Sequence, residues 1–390
     1  MHLGIQASLG SAATSAVDDP LVNNTYSLAF DGTNDYMDIT SLGALTGQLT
    51  WSVWAKKGDD STTMYMLGRS SAVDIFELNN NESVRVRIAN NHLFTTAGTV
   101  SSITDWHHYV ATRDGSNMLK IYVDKVEKGI WNGSAYVTGG VEITGTSNID
   151  YIARDSSVYF EGNIDEVAIW DTALTSTEIS AIYDNNRLNL SKDVLGYESS
   201  SDLQGWWRMG DGTLDDSGTG IGNGLIADQV NATLGSEAFG DPSFEDASYL
   251  TFAGVGAGET LDVNTTNAGK MTAIQAQDVD LTKAGILVAG QLYRLEFVVD
   301  SISTEAGSEG RLRFDRGYTT WFTGPSNTEF ETIDVGTWVF YAYAVNTNFG
   351  LRFDITSTFT MTSMSIKPVN GNAGVMINMT ASDKESEVPS

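Results

Sequence analysis

The alternation of apolar and polar residues predicts β-strands along most of the chain. Tyr26, Leu28 and Phe30 alternate with smaller residues, and residues 84–88 alternate valine or isoleucine with arginine. A period of two places apolar side chains on one face of a strand and polar side chains on the other. Short strands separated by Gly, Asn and Asp turns predict β-sandwiches or barrels. The other segments with strand character are 49–53, 106–113, 119–123, 292–299, 312–314, 337–345, 351–355 and 364–366.

One segment predicts an α-helix within this β pattern. Thr175 and Glu178 have the spacing of a capping box, with Thr175 as the N-cap. Leu174 and Ile179 occupy the two positions of a hydrophobic staple. We expect the helix to end at the asparagines 185–186, which tolerate left-handed backbone.

A chain of 390 residues is too long for one ordinary core, so at least two domains are expected. Residues 191–240 are rich in glycine and weakly periodic, and the strand pattern returns after residue 244. These changes predict an N-terminal arm at 1–22, a first sandwich at 23–190, an irregular connector at 191–240, a second, smaller sandwich at 241–367 and a C-terminal tail at 368–390.

Composition argues against several classes of function. With 22 basic and 50 acidic residues the net charge is −28, and such a chain would be repelled by nucleic-acid phosphates. There is no cysteine, which excludes disulfides and thiolate chemistry. No stretch approaches the roughly 18 apolar residues of a membrane span, and residues 1–10 lack the basic and apolar segments of a signal peptide. We therefore expect no nucleic-acid partner, no membrane insertion and no export signal.

Four ordered segments carry a resemblance to a known family. They are 26–36 (YSLAFDGTNDY), 106–114 (WHHYVATRD), 119–124 (LKIYVD) and 160–170 (FEGNIDEVAIW), and the last leads into the capped helix. Over about residues 24–190 the chain resembles the laminin-G-like domains of the concanavalin A-like lectin and glucanase superfamily. The resemblance implies a jelly-roll sandwich.

Two further resemblances concern the rest of the chain. The segments 205–211 (GWWRMGD) and 371–379 (GNAGVMINM) are similar to segments that follow such domains in tailed-phage virion proteins, where they lie close together in sequence. Here about 160 residues separate them, so 241–367 is interpreted as an inserted sandwich. Residues 289–297 (AGQLYRLEF) make this insert resemble carbohydrate-binding-module jelly rolls. The predicted fold class is all-β, with two jelly-roll β-sandwiches and an irregular connector.

An enzyme is disfavoured because the residues for catalysis are missing. The superfamily includes glucanases, and Glu161, Asp165 and Glu166 lie around the equivalent motif. Side chains alternate along a strand, so Asp165 and Glu166 are predicted on opposite faces, which does not suit a paired-carboxylate hydrolase. There is no HExxH, GxSxG or P-loop motif. The chain is predicted to be non-catalytic.

Calcium is the one cofactor that the resemblance implies. Many laminin-G-like domains hold Ca²⁺ at the sandwich rim, and the matching positions here are Asp31, Asp35 and Asp165. Carboxylate oxygens suit Ca²⁺. The alternative is that Asp31-Gly32 and Asn34-Asp35 only form turns, where Asp and Asn are favoured. Both alternatives stay open.

Sugar binding requires exposed rings beside polar groups, because the apolar face of a sugar stacks on an aromatic ring. Tyr318, Trp321 and Phe322 cluster in a threonine-rich segment and are the first candidates. Trp131 and Tyr136, near an Asn-Gly turn, are the second. The alternative for the first group is a place in the core or in a subunit contact.

These observations predict a non-catalytic virion structural protein, such as a capsid decoration or a fibre or tail appendage subunit, with weak glycan contact at the host surface. Its partners would be other virion proteins, copies of itself in a homo-oligomer, and cell-surface glycans. The alternative is a secreted or surface lectin of a bacterium that binds polysaccharide with calcium and works outside the cell. A glycan hydrolase is a third and remote interpretation.

Overall fold

The computed structural model describes residues 20–71, 73–212, 215, 224–246, 248–253, 260–263, 271–274, 279–303, 311–313, 321–323, 329–330, 335–354, 358–379 and 381–389. Across them the fold is nearly all-β, with jelly-roll-like sandwiches of antiparallel sheets and one α-helix. This confirms the predicted fold class. A search of the described helices finds none with the length and apolar character that crossing a membrane requires.

Two strands from the end of the chain join the first sandwich. Its other strands all come before residue 230. In chain order they are β1 (Ser27–Asp31), β2 (Tyr36–Asp38), β3 (Ala44–Leu45), β4 (Leu49–Lys57), β5 (Met64–Gly68), β6 (Ile75–Leu78), β7 (Val84–Ile88), β8 (Asn91–Phe94), β9 (His107–Arg113), β10 (Met118–Val123), β11 (Val126–Lys128), β12 (Ile130–Trp131), β13 (Tyr136–Val137), β14 (Val141–Glu142), β15 (Ser147–Asn148), β16 (Tyr151–Ile152), β17 (Arg154–Asp155), β18 (Val158–Tyr159), β19 (Glu161–Trp170), β20 (Leu203–Trp207) and β21 (Leu225–Ile226).

The remaining strands form the second sandwich or return to the first. They are β22 (Thr233–Leu234), β23 (Thr251–Ala253), β24 (Thr260–Val263), β25 (Met271–Ile274), β26 (Val279–Lys283), β27 (Leu292–Ser303), β28 (Arg311–Arg313), β29 (Phe322–Thr323), β30 (Glu329–Phe330), β31 (Gly336–Ala344), β32 (Phe349–Asp354), β33 (Thr358–Asn370), β34 (Gly374–Ile377) and β35 (Lys384–Glu385). Short 3₁₀ turns span Thr40–Leu42, Ser200–Asp202 and Ala381–Asp383.

Two sheets stack to make the first sandwich. Sheet 1 has the order β11-β10-β9-β4-β19-β1-β35, with β14 and β20 attached, and sheet 2 has the order β21-β34-β2-β16-β5-β6-β7-β8. The predicted alternation in β7 is confirmed, because its valines and isoleucine are buried and its two arginines are half-buried on the other face. Trp51 of sheet 1 and Phe76 of sheet 2 meet in the core with ring centroids 6.0 Å apart.

The helix α1 (Ser176–Asp184) packs on the outer face of sheet 1. Its capping box forms as predicted: the Glu178 N–H donates to Thr175 Oγ1 at 3.3 Å, and the Thr175 N–H donates to Glu178 Oε2 at 2.9 Å. Ile179 and Ile182 are buried in the same cluster as Trp170 of β19. The helix covers the face of sheet 1 that points away from sheet 2, so sheet 1 is enclosed on both sides.

The second sandwich is built from a sheet of order β24-β25-β33-β27-β31-β29, joined by β22, and a sheet of order β23-β26-β32-β28-β30. Its core contains Phe297, Phe340 and Leu351 among other buried residues. The opposite face of β27 and β31 packs against the edge of sheet 2. The buried residues of this seam are Leu225, Leu292, Val339, Tyr341, Val369, Ala373, Val375 and Ile377.

The second sandwich is inserted into the first. Its entry and exit lie side by side, because Leu234 of β22 pairs with Val369 of β33 and the Gly235 N–H donates to the Pro368 carbonyl at 2.8 Å. After the insert the chain returns to the first sandwich, where β34 lies between β21 and β2 and β35 pairs with β1. The segments predicted as connector and tail thus contribute β20, β21, β34 and β35 to the first sandwich.

Candidate functional site

A short hairpin places two of the predicted aromatic residues beside the edge of sheet 2. The hairpin consists of β12 and β13, in which Trp131 pairs with Tyr136. A bridge between Thr95 and Ile130 fastens it next to β8, the last strand of sheet 2. The structure therefore brings Trp131 and Tyr136 together and gives them a sheet edge as a neighbour.

Four rings form a continuous group at this edge. The Trp131 and Tyr136 centroids lie 5.3 Å apart, and those of Tyr136 and Phe94 lie 6.4 Å apart in an edge-to-face contact. His92 stacks on Phe94 at 6.2 Å. Tyr136 is 44% exposed, which is unusual for so large a ring. Sequence analysis missed His92 and Phe94, because their nearness to the hairpin arises only from folding.

A groove of about 480 Å³ lies against the same strand. Most of its lining is polar, and the residues are Asn90, Asn91, His92, Leu93, Glu142, Ile143 and Thr144. The Asn91 Nδ2 donates to the Thr144 carbonyl at 3.4 Å across it. Gly145 allows its segment to lie close to Ala89. Its φ is 119°, and a Cβ at this position would be 2.5 Å from the Ala89 Cβ.

The main chain of His92 adds a donor and an acceptor to the groove. The Asn91–Ile88 and Leu93–Val86 pairs join β8 to β7, and Thr95 N–H donates to the Val84 carbonyl. Alternate residues of an antiparallel strand direct their N–H and C=O toward the partner strand. Both groups of His92 therefore face away from β7, and they have no protein hydrogen-bond partner in the part of the chain that the structure describes.

The first group of predicted sugar-binding aromatic residues is not exposed at the surface where the structure describes it. Trp321 is 4% exposed and Phe322 is fully buried, and both belong to the core of the second sandwich. The Trp321 ring lies flat on Gly350, where a Cβ would be 2.0 Å from ring atoms. This corrects the prediction for these two residues. Tyr318 lies outside the described residues.

The three predicted calcium ligands do not converge. Asp31 of β1 lies opposite Glu161 of β19, so Asp165 is four residues further along β19, roughly 13 Å away at about 3.3 Å per residue. Asp31 Oδ1 accepts from the Thr33 N–H at 2.7 Å, and Asp35 Oδ2 accepts from the Asp31 N–H at 3.2 Å. Among the described residues no group of three acidic or histidine side chains is arranged to hold a metal ion. The predicted ligand set is corrected to the pair Asp31 and Asp35.

Calcium at this pair stays a prediction. Burial, together with the charges of Asp31 and Asp383, raises the pKa of Asp35 to about 7. A cation would relieve this repulsion, and a site with so few carboxylates would bind Ca²⁺ with a Kd of about 10⁻⁴–10⁻³ M. We expect millimolar Ca²⁺ to raise the melting temperature at pH 8 in the wild type and not in Asp35→Asn. A wild type whose melting temperature is the same in Ca²⁺ and in chelator would remove calcium from this rim.

A bulge in β19 changes the predicted placement of its acids. Glu166 has a φ of 44°, and the register with β4 shifts just after Asp165. Asp165 Oδ2 accepts from Asn24 Nδ2 at 2.9 Å, and Glu166 accepts from Trp206 Nε1 at 2.5 Å and Arg208 Nε at 3.1 Å. Both acids lie in the layer outside sheet 1, so the prediction of opposite faces is wrong.

The arrangement of these two acids does not suit hydrolysis. Burial raises the pKa of Asp165 well above its usual value, with the Glu166 charge adding to it. Burial also raises the pKa of Glu166 to about 7, against the charge of Arg208. A glycosidase needs two carboxyls that flank an open substrate groove. Both carboxyls here are enclosed by protein.

The comparisons with known proteins match part of the chain. The family described as the concanavalin A-like lectin/glucanases superfamily matches residues 31–180. Residues 31–180 are therefore similar to this superfamily. The match covers less than half of the chain and confirms the resemblance for this part. The groove and the aromatic hairpin both lie within residues 31–180.

Part of the chain is similar to solved structures of low sequence identity. A putative carbohydrate binding protein from Bacteroides ovatus is 15% identical with a TM-score of 0.38, and the match covers 53% of this chain and 56% of that chain. A heptameric SAP-like pentraxin from Limulus polyphemus is 14% identical with a TM-score of 0.33, covering 41% and 82%. The CBM40 of a Ruminococcus gnavus IT-sialidase is 16% identical with a TM-score of 0.32, covering 42% and 99%. No protein of curated function matches the chain.

Proposed function

We propose that the protein is a non-catalytic saccharide-binding protein and that the groove beside β8 is its binding site. The observation that carries the proposal is the exposed Tyr136 ring, which is joined through Phe94 to His92, a lining residue of a mostly polar groove of about 480 Å³. Saccharide sites combine a ring that stacks on the apolar sugar face with polar groups that bind the hydroxyls. The free N–H and C=O of His92 supply one donor and one acceptor for neighbouring hydroxyls.

The lining of the groove favours binding without hydrolysis. Glu142 is the single carboxylate among its lining residues. Hydrolysis by either common mechanism uses a pair of carboxyls on opposite sides of the scissile bond. We expect no release of reducing ends from any polysaccharide that the protein binds.

The setting proposed for this activity is a virion, where the protein would serve as a decoration, fibre or tail subunit that contacts host glycans. The absence of cysteine and the strongly acidic, soluble surface suit an assembly subunit, and the two nested sandwiches offer large faces for copies of the chain. The alternative setting is a secreted or surface lectin of a bacterium. A symmetric oligomer burying well over about 1,000 Å² per interface favours the virion subunit, and a monomer favours the lectin.

The groove is tested by glycan binding with single-site variants. We expect Tyr136→Ala to weaken binding of any glycan found on an array by about fivefold to tenfold, because a stacked ring contributes about 1 kcal/mol. Tyr136→Phe keeps the ring and should retain most of the affinity. Isothermal titration with the best array ligand measures both variants.

Val126 provides a control, since it is 54% exposed on β11 of the other sheet. Val126→Ala should bind as the wild type does. Equal affinity of Tyr136→Ala and wild type, with both folded, would remove the groove as the binding site.

A further inference from the structure

A second cluster lies on sheet 2 about four strand spacings from the groove, roughly 19 Å at about 4.8 Å per strand. Arg154 of β17 lies among three tyrosine rings. Its guanidinium carbon is 4.3 Å from the Tyr36 centroid, 4.8 Å from that of Tyr151 and 5.3 Å from that of Tyr159. All four residues are half-buried.

Among the described residues no carboxylate forms an ion pair with Arg154, although its charge acts on the neighbouring, buried Asp155. Its Nε donates to the Ser156 carbonyl at 2.9 Å, and its other contacts are with the three rings. Other arginines of this protein do pair with carboxylates: Arg69, Arg85, Arg208, Arg294 and Arg352. Arg113, which also lacks a carboxylate, donates three hydrogen bonds to the Gly47 and Gly145 carbonyls, whereas Arg154 donates one, to the Ser156 carbonyl.

The geometry leaves the N–H edge of the Arg154 guanidinium for a ligand. Rings that lie against the arginine favour the cation through their π faces but accept no strong hydrogen bond from its N–H edge. That edge is a planar fork that matches two oxygens of a carboxylate or sulfate. The hydroxyls of Tyr36 and Tyr159 also have no hydrogen-bond partner in the described chain and can donate to the same kind of group.

We propose that Arg154 and its three tyrosines bind the anionic group, carboxylate or sulfate, of an acidic saccharide. The rings provide apolar surface for the sugar, and the guanidinium edge provides the charge-assisted hydrogen bonds. A net charge of −28 repels polyanions in general, so binding of such a ligand requires a local cation of this kind. This site is separate from the groove beside β8 and does not depend on it.

The test compares three probes on the full-length protein at low ionic strength: oligogalacturonate for the carboxylate, dextran sulfate oligosaccharide for the sulfate, and neutral dextran. We expect the wild type to bind at least one charged probe and not dextran. Arg154→Gln should weaken that binding at least tenfold, and Arg154→Lys should bind with intermediate affinity because it keeps the charge without the fork. Which charged probe binds identifies the anionic group.

Arg187 is the matched control, because it is exposed and its Nε donates to the Val22 carbonyl away from the tyrosines. Arg187→Gln removes the same charge and should bind as the wild type does. Tyr159→Phe preserves the ring and isolates the contribution of its hydroxyl, while Tyr136→Ala should leave binding of the charged probe intact. Failure of the wild type to bind either charged probe, or equal loss in Arg154→Gln and Arg187→Gln, overturns the proposal.

Discussion

Deleting residues 371–390 is expected to prevent folding of the first sandwich, although the deletion begins more than 180 residues after the end of α1. The deleted segment contains β34, which lies inside sheet 2 between β21 and β2. Val375, Met376, Ile377 and Met379 are at most 1% exposed. Removing one buried side chain of this size costs about 2–5 kcal/mol, and four are lost together with a central strand. The marginal stability of a domain cannot offset that loss.

The contrasting experiment removes the second sandwich instead. Joining Leu234 to Val369 through an Asn-Gly turn closes the paired strands at the entry and exit of the insert. This shortened chain should unfold cooperatively, with a lowered melting temperature because the seam is exposed. Circular dichroism and calorimetry measure both chains. A folded chain without 371–390, or an unfolded chain without the insert, would contradict the nested arrangement.

The second expected result is that the protein is more stable at pH 5 than at pH 8. Burial raises the pKa of Asp215 and of Asp228 to about 6, and that of Glu166 to about 7. Between about pH 4 and pH 7 the folded protein keeps protons that the unfolded chain has released, so the free energy of unfolding falls as pH rises. A shift of about two pH units corresponds to about 3 kcal/mol per group. The melting temperature should fall by about 5–10 °C from pH 5 to pH 8.

Asp228→Asn provides the control for this dependence. Asp228 Oδ1 accepts from the Trp206 and Val230 N–H groups, and an asparagine oxygen can accept both bonds without carrying a charge. We expect the variant to melt higher than the wild type at pH 8 and to depend less steeply on pH in calorimetric scans. A melting temperature that rises from pH 5 to pH 8 in the wild type would show that these acids do not bear the predicted burial penalty.

Local patterns predicted the local structure well. The alternation at 84–88 corresponds to β7, and the Thr175–Glu178 box forms the N-terminus of α1. Both depend on residues close in sequence, whose side-chain directions are determined by the backbone period. The Trp131–Tyr136 pair was also found from sequence, since its two strands are joined by a short turn.

Features that depend on distant contacts were not predictable in this way. The bulge at Glu166 has no local signal, because a glutamate at positive φ is maintained by its partners Trp206 and Arg208. The burial of Trp321 depends on its contact with Gly350 of another strand. Arg154 and Tyr36 are more than a hundred residues apart in sequence, and their contact forms only in the folded chain. Predicting any of these features requires the register between strands that are far apart in sequence.

A crystal structure of the protein with its best array ligand tests the saccharide-binding proposal most directly. We expect a sugar ring stacked on Tyr136, with hydroxyls bonded to the His92 main chain and to the amides of Asn90 or Asn91. A sugar bound elsewhere on the first sandwich, with the groove beside β8 empty, would contradict the account.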